Sequence, residues 1–142
     1  MNIVTLGGTP FSYVRFVQPI LDRNCIKCHG GEKTEKGVNL TAAKSGAFTA
    51  SYVSLTKSPI LVPRFVARNQ IQVTEPGGKI GALGSTLMRQ LRAGHKTVTL
   101  TDAELRTLAA WIDLNAVFYG SCDLADNAKE LRGEPIAMPE IQ

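Results

Sequence analysis

A five-residue motif near the N-terminus constrains this chain more than any other feature of its sequence. Cys25 and Cys28 stand three positions apart, and His29 follows directly. On one turn of a helix the two thiols point the same way, where they can form thioethers with the two vinyl groups of a porphyrin. The adjacent imidazole can then bind the iron as its proximal ligand. The motif therefore predicts one covalently bound haem c, attached through Cys25 and Cys28 and ligated by His29.

Other uses of paired cysteines fit these residues less well. A thiol–disulfide motif normally opens a helix after a strand, and no such strand is predicted before Cys25. A zinc site needs more ligands, yet the sequence has neither a second cysteine pair nor a paired-histidine motif. A disulfide between Cys25 and Cys28 leaves His29 unexplained. A haem-free interaction module, with incidental cysteines, is a further hypothesis.

The sixth ligand of the iron is open among four possibilities. His95, the second of two histidines, follows the end of a predicted helix, and neutral imidazole is a strong iron ligand. Met88 lies on that predicted helix, where a methionine more often packs in the core. Met138 precedes a proline in the C-terminal segment, and the fourth possibility is an open site. We favour His95.

Apolar periodicity in the first half of the chain predicts one organised helical block followed by loops. Residues 11–30 carry apolar side chains every three or four positions, so one helical face holds both cysteines. Ser12 is a candidate N-cap, and Pro19 either starts or kinks this helix. Residues 31–84 are rich in Gly and Pro, with a short helix expected around 47–55.

The second half of the chain carries clearer helix signals. A short helix is expected over 85–93, with Ser85 as its N-cap and Gly94 placed to end it. Thr101 and Glu104 form a capping box that opens the longest predicted helix. These signals together predict a mainly α fold.

Length and composition limit the alternatives. The 142 residues and 15.3 kDa correspond to one domain, and 44% hydrophobic residues exclude a disordered chain. No apolar run approaches the ~18 residues of a membrane span. The net charge of +4 is too small to indicate nucleic acid as a partner. We expect an N-terminal extension over 1–10, a cytochrome c domain over 11–120 and an extended C-terminal tail or linker over 121–142.

Several segments resemble a known family. The segments Val17–Leu21, Asn24–Gly30 and Gly37–Leu40 are similar to those of planctomycete cytochrome c modules. The segments Gly84–Leu87, Leu91–His95, Leu100–Thr101 and Trp111–Asn115 resemble the C-terminal haem domain of the hydrazine synthase alpha subunit and its relatives. Together these resemblances cover roughly residues 11–120. The planctomycete modules commonly end in a Met-Pro-Pro ligand loop, from which this chain departs.

The resemblance implies a class I cytochrome c-like helical domain, with a long irregular loop between the haem-motif helix and the distal-ligand helix. It also implies two histidine ligands, which supports His95. Hydrazine synthesis is not implied, because that chemistry belongs to other domains of the enzyme.

These features predict an electron carrier rather than an enzyme. Histidines on both faces of the iron leave no position for a substrate, and imidazole in place of a thioether lowers the reduction potential relative to a His/Met cytochrome c. The partner would be a redox protein or another domain of the same polypeptide. The alternatives are a haem-based sensor or haem enzyme domain with a weak or open sixth position, or a His/Met cytochrome c.

The remaining expectations concern surroundings and location. Cys122 is left over and is expected to be a partly buried thiol. Thioether formation occurs outside the cytoplasm, so we expect a periplasmic or otherwise extracytoplasmic protein whose signal peptide comes from a precursor or parent chain. A basic ring that steers an acidic partner, or simply a solvated surface, would be formed by Lys27, Lys33, Lys36, Arg89, Arg92 and Lys96.

Overall fold

The computed structural model describes residues 5–6, 9–32, 34–64 and 80–138. Helices account for about half of the structure, which is therefore mainly α, as predicted. Two antiparallel hairpins pair β1 (Thr5–Leu6) with β2 (Thr9–Pro10) and β3 (Lys44–Ser45) with β4 (Phe48–Thr49). The helices are α1 (Tyr13–Phe16), α2 (Gln18–Asn24), α3 (Ile26–His29), α4 (Ala50–Thr56), α5 (Gly81–Gly84), α6 (Thr86–Ala93), α7 (Asp102–Asp113) and α8 (Leu124–Leu131).

The N-terminal helical block is divided into three pieces, α1, α2 and α3. Pro19 is one of the first two residues of α2, where its missing N–H costs no helical hydrogen bond, so it starts a helix as one reading of the sequence predicted. Cys25 ends α2 and precedes α3 with a φ of −120°, outside helical geometry. Ser12 precedes α1 in extended backbone, but its hydroxyl makes no capping bond. The two cysteines therefore lie at a break between helices rather than on one continuous helix.

The segment between α3 and α6 is more ordered than the predicted long irregular loop. It contains the β3–β4 hairpin, α4 and α5, while residues 65–79 lie outside the described part. The helix expected around 47–55 begins at Ala50, because Phe48 and Thr49 pair with β3 and the Thr49 hydroxyl accepts from the Tyr52 N–H as N-cap. At α5, Asp113 of α7 accepts the Ala82 N–H at 2.7 Å.

The caps of α6 and α7 are confirmed. The Ser85 hydroxyl accepts from the Met88 N–H, and Gly94 ends α6 with a φ of +86°. Thr101 and Glu104 form the reciprocal capping box of α7. Both helices are specified by short-range sequence, which is why their ends were predictable.

The core forms where α7 packs against the N-terminal helices. The ring centres of Tyr13 and Trp111 lie 5.2 Å apart, and both side chains are fully buried. The Trp111 indole N–H donates to the Val117 carbonyl at 3.0 Å. Nearer the cysteines, the Glu104 carboxylate accepts from Arg23 and Asn24, which ties the end of α2 to the start of α7.

The C-terminal segment is not the extended tail expected over 121–142. Asp123 caps α8 by accepting from the N–H groups of residues 125 and 126, and α8 packs on α1. Glu130 of α8 is 1% exposed, and both of its carboxylate oxygens lie 3.0 Å from the Gly120 N–H. Ile136 beyond the helix is also buried. Residues 139–142 lie outside the described part.

Within residues 5–6, 9–32, 34–64 and 80–138, no helix is long and apolar enough to cross a membrane.

Candidate haem site

A cavity of about 230 Å³ lies between α2, α3, α6 and α7, and the residues of the predicted haem site surround it. Cys25, Cys28, His29 and His95 all line its wall. More than half of the lining residues are aliphatic, as in most ligand pockets. The aliphatic members are Ile20, Leu21, Val38, Leu40, Leu55, Leu61, Leu87, Leu91, Val98, Leu100 and Leu108.

The imidazoles of His29 and His95 lie close together at this cavity. Their ring centres are 6.3 Å apart, and the ring planes are inclined by only 24°. Two metal–imidazole bonds of about 2 Å each, the length known for zinc, plus roughly 1.1 Å from each nitrogen to its ring centre, would separate the centres by about 6.2 Å. The observed separation is therefore close to the one expected where each ring directs a nitrogen at a shared metal atom.

His29 is fixed by the chain segment that follows the motif. Its Nδ1 lies 3.1 Å from the Val38 carbonyl oxygen, and its own carbonyl accepts the Leu40 N–H at 2.8 Å. A carbonyl oxygen can only accept, so Nδ1 carries the proton and Nε2 keeps the free lone pair. This is the arrangement that orients metal-binding histidines in general.

His95 lies in a tight turn directly after α6. Gly94 takes a φ of +86°, which favours glycine, and Lys96 takes a φ of +54°. The His95 carbonyl accepts the Val98 N–H at 3.0 Å, which closes the turn. The Lys96 ammonium lies 3.0 Å from the Glu35 carboxylate, so this turn is linked to the segment that follows α3.

The two cysteines of the motif differ in their surroundings. Cys25 is partly buried against the core, whereas Cys28 is exposed, and both are free thiols. Burial, followed by the charges of Glu104 and Cys28, raises the pKa of the Cys25 thiol to about 11. A catalytic redox cysteine needs the opposite shift, because its thiolate must be present at neutral pH. Cys25 is therefore not a candidate for the nucleophilic cysteine of thiol–disulfide exchange.

The donor set suits an iron porphyrin better than a bare ion. Within the described ranges, no three or more His, Cys, Asp or Glu side chains come together where they could hold a metal ion. A porphyrin brings four nitrogens of its own, so the protein needs to supply at most two axial ligands. His29 and His95, which both line the cavity, could fill that role.

The other ligand candidates lie elsewhere. Met88 is 1% exposed within the hydrophobic core and does not line the cavity. Met138 is 42% exposed, beyond α8. Cys122 is exposed, which corrects the expectation of a partly buried thiol, because the segment before α8 runs over the surface.

The predicted basic residues are only partly gathered at the cavity. Lys36 and Lys96 line it, and Lys27 is exposed on α3 next to Cys28. Arg89 and Arg92 are exposed on α6. Lys33 lies outside the described residues.

The groups that hold His29 and the segment after it in place, the Val38 carbonyl and the Gln18 amide, were not predicted from the sequence. The Val38 carbonyl belongs to the backbone, so no residue type signals it. Gln18, whose amide donates to the Leu40 carbonyl, is separated from it by 22 positions. The segment Gly37–Leu40 was singled out by resemblance alone.

The resemblance by motifs is not accompanied by a match to any known protein. No family model, curated protein or solved structure matches this chain. The relation to cytochrome c modules, drawn from residues 11–120, stays a prediction.

Proposed function

We propose that this chain is an electron-transfer domain with one covalent haem c, in a class I cytochrome c-like arrangement of helices. Cys25 and Cys28 would carry the thioether bonds, and His29 and His95 would be the axial ligands. The observation that carries the proposal is the near-parallel pair of imidazoles, 6.3 Å apart across an apolar cavity, with both cysteines on its wall.

The haem, when bound, supplies an iron that changes oxidation state by one electron. The chain's own residues do the rest. The aliphatic wall excludes water, and the Val38 carbonyl holds the His29 ring with Nε2 free. His29 and His95 would hold the iron from two sides, which would favour electron exchange without substrate binding at the iron. An electron carrier is therefore a better proposal than an enzyme.

A redox protein, or a neighbouring domain of the same polypeptide, is the proposed partner. Lys27 is exposed beside Cys28 and Lys36 lines the cavity, so a partner that approaches there meets these two lysines, whereas Lys96 is paired with Glu35. Haem c attachment would also require a location outside the cytoplasm, in the periplasm or an equivalent compartment.

The test uses the full chain produced with a haem c maturation system. A positive pyridine haemochrome assay is expected for the wild type, with no carbon monoxide binding by the ferrous form. His95→Ala should change the spectrum and open the iron to carbon monoxide. Met88→Leu is the matched control, because it removes the other ligand candidate near His95, on α6. Its spectrum should equal that of the wild type.

Three results would contradict the proposal in distinct ways. A negative haemochrome assay would favour a haem-free module. Ready carbon monoxide binding by the wild type, or an unchanged His95→Ala spectrum, would favour a sensor or enzyme domain with a weak or open sixth position. A far-red Met–iron band in the ferric form would indicate a His/Met cytochrome c.

A further inference from the structure

Gln18, the first residue of α2, is a buried polar side chain at the centre of a hydrogen-bond chain. It is 2% exposed. Its amide nitrogen donates to the Leu40 carbonyl at 3.0 Å and to the Asp22 carboxylate at 2.8 Å. Its amide oxygen accepts from the Ser51 hydroxyl at 2.5 Å. A buried amide with this many partners is held in one orientation, since any loss leaves a polar group unsatisfied.

The donors along this chain run in one direction. The Tyr13 hydroxyl donates to Ser51, and Ser51 donates to the Gln18 oxygen. The Thr49 hydroxyl lies 2.9 Å from the Ser51 oxygen, and Ser51 and Tyr13 are fully buried. Turning the Gln18 amide over would place its oxygen against the Leu40 carbonyl oxygen, so the order of donors fixes which atom faces Leu40.

Leu40 belongs to residues 38–41, here called the proximal strap, which contact both the side chain and the backbone of His29. The Val38 carbonyl of the strap accepts from the His29 Nδ1–H at 3.1 Å, and the Leu40 N–H donates to the His29 carbonyl at 2.8 Å. Helix α4 holds the other end of the strap, because the Ser51 N–H donates to the Thr41 carbonyl at 3.1 Å. Gln18 therefore hydrogen-bonds to the strap at Leu40, the residue that also binds the His29 backbone.

We propose that Gln18 is a positioning residue for the proximal ligand, acting through the Leu40 carbonyl to hold the Val38 carbonyl on His29 Nδ1. This inference rests on the proposed function. A strong Nδ1–H···O=C bond makes the imidazole a better electron donor to a metal, which stabilises the oxidised state and lowers the reduction potential. Loosening the strap weakens that bond, so the potential moves in the positive direction.

The test compares three variants of the haem-loaded full chain. Gln18→Met keeps the length of the side chain and removes its donors and acceptor. Ser51→Ala leaves the Gln18–Leu40 bond in place but removes the partner that orients the amide. Tyr52→Phe is the control, because it removes a buried bond of similar length, 2.8 Å to the Ala116 carbonyl, that is not part of this chain of donors.

Two properties are measured besides thermal stability: the midpoint potential, and the solvent exchange rate of the His29 ring N–H by NMR. Gln18→Met should shift the potential positively and speed the exchange, Ser51→Ala should do both to a smaller extent, and Tyr52→Phe should lower stability alone. Unchanged potential and exchange in Gln18→Met, or in Ser51→Ala if the first variant does not fold, would overturn the role of Gln18 and leave the haem assignment standing. A wild-type chain that binds no haem would overturn both.

Discussion

Glu104 joins the start of α7 to the end of α2, one residue before the first cysteine of the motif. Its carboxylate accepts from the Thr101 N–H at 2.9 Å, from Arg23 at 3.1 Å and from the Asn24 amide at 3.2 Å. The Glu104 side chain is only 15% exposed, whereas that of Arg23 is 61% exposed. We expect Glu104→Ala to destabilise the fold more than a typical surface substitution does.

The magnitude follows from the three contacts. Loss of the capping interaction costs about 1 kcal/mol, and loss of the Asn24 hydrogen bond about 1 kcal/mol. The ion pair with Arg23 adds only a few tenths, about 0.3 kcal/mol, because Arg23 is largely solvated. The total is about 2 kcal/mol, or a fall in Tm of about 6 °C for a chain of this size.

Thermal unfolding followed by circular dichroism measures this effect. Glu104→Gln retains the capping geometry, since glutamine also fits a capping box, and should lose less than half as much stability. Glu32→Ala, at an exposed position, should stay within about 0.5 kcal/mol of the wild type. If Glu104→Ala were no less stable than Glu32→Ala, the claim that this carboxylate ties α2 to α7 would be wrong.

The same carboxylate predicts a pH dependence. The Thr101 N–H has the largest effect and lowers the pKa of Glu104; burial opposes it, and the Arg23 and Asn24 side chains lower the pKa further. Its stabilisation is therefore present above its unfolded pKa of about 4.3 and is lost as the pH falls through the lower folded value. The stability gap between wild type and Glu104→Ala should shrink below about pH 4, and a gap that stayed constant there would contradict the assignment.

Three further predictions concern other parts of the fold. Burial raises the pKa of Glu130, so the stability given by its protonated form is lost as the pH rises above the unfolded value of about 4.3 and through the higher folded value. Over that rise, Glu130→Gln should gain Tm relative to the wild type. Gly81 has a φ of +71°, and an added Cβ would lie 2.7 Å from the Asp113 carboxylate, so Gly81→Ala should cost about 2 kcal/mol or more in denaturant unfolding. Gly46→Ala, at a φ of +63° with open space around it, should cost only about 1 kcal/mol. Cys122→Ser should leave Tm and the haem spectrum unchanged, because this thiol is exposed.

Each of these predictions has a clear contrary result. A pH-independent difference between Glu130→Gln and wild type would show that the buried carboxylate does not titrate with folding. Equal losses of unfolding free energy in Gly81→Ala and Gly46→Ala would show that the Asp113 carboxylate does not restrict position 81. A change in the haem spectrum of Cys122→Ser would show that Cys122 affects the haem site.

The predictable parts of the fold were those encoded by neighbours in sequence. Ser85 and Gly94 mark the ends of α6, and Thr101 with Glu104 starts α7, because capping depends on residues three or four positions apart. The Asp123 cap of α8 is equally local. It was overlooked because the Gly and Pro residues that follow the helix favoured an extended tail.

The unpredictable parts depend on contacts between distant residues. The sequence predicted Cys25, Cys28, His29 and His95 as site residues, but it could not predict the distance between the two imidazoles. Gln18 meets Ser51 only after α2 and α4 pack together, across 33 positions. Polar residues carry no periodic signal for such a pairing, so the support for the proximal ligand emerges only from the folded chain.

The central claim is that one haem is covalently attached through Cys25 and Cys28. Intact-mass analysis of the denatured full chain, produced with a haem c maturation system, tests it directly. We predict a mass increase of one haem that survives denaturation and is lost in the Cys25→Ala, Cys28→Ala double variant. A wild-type chain with the mass of the bare polypeptide would contradict it.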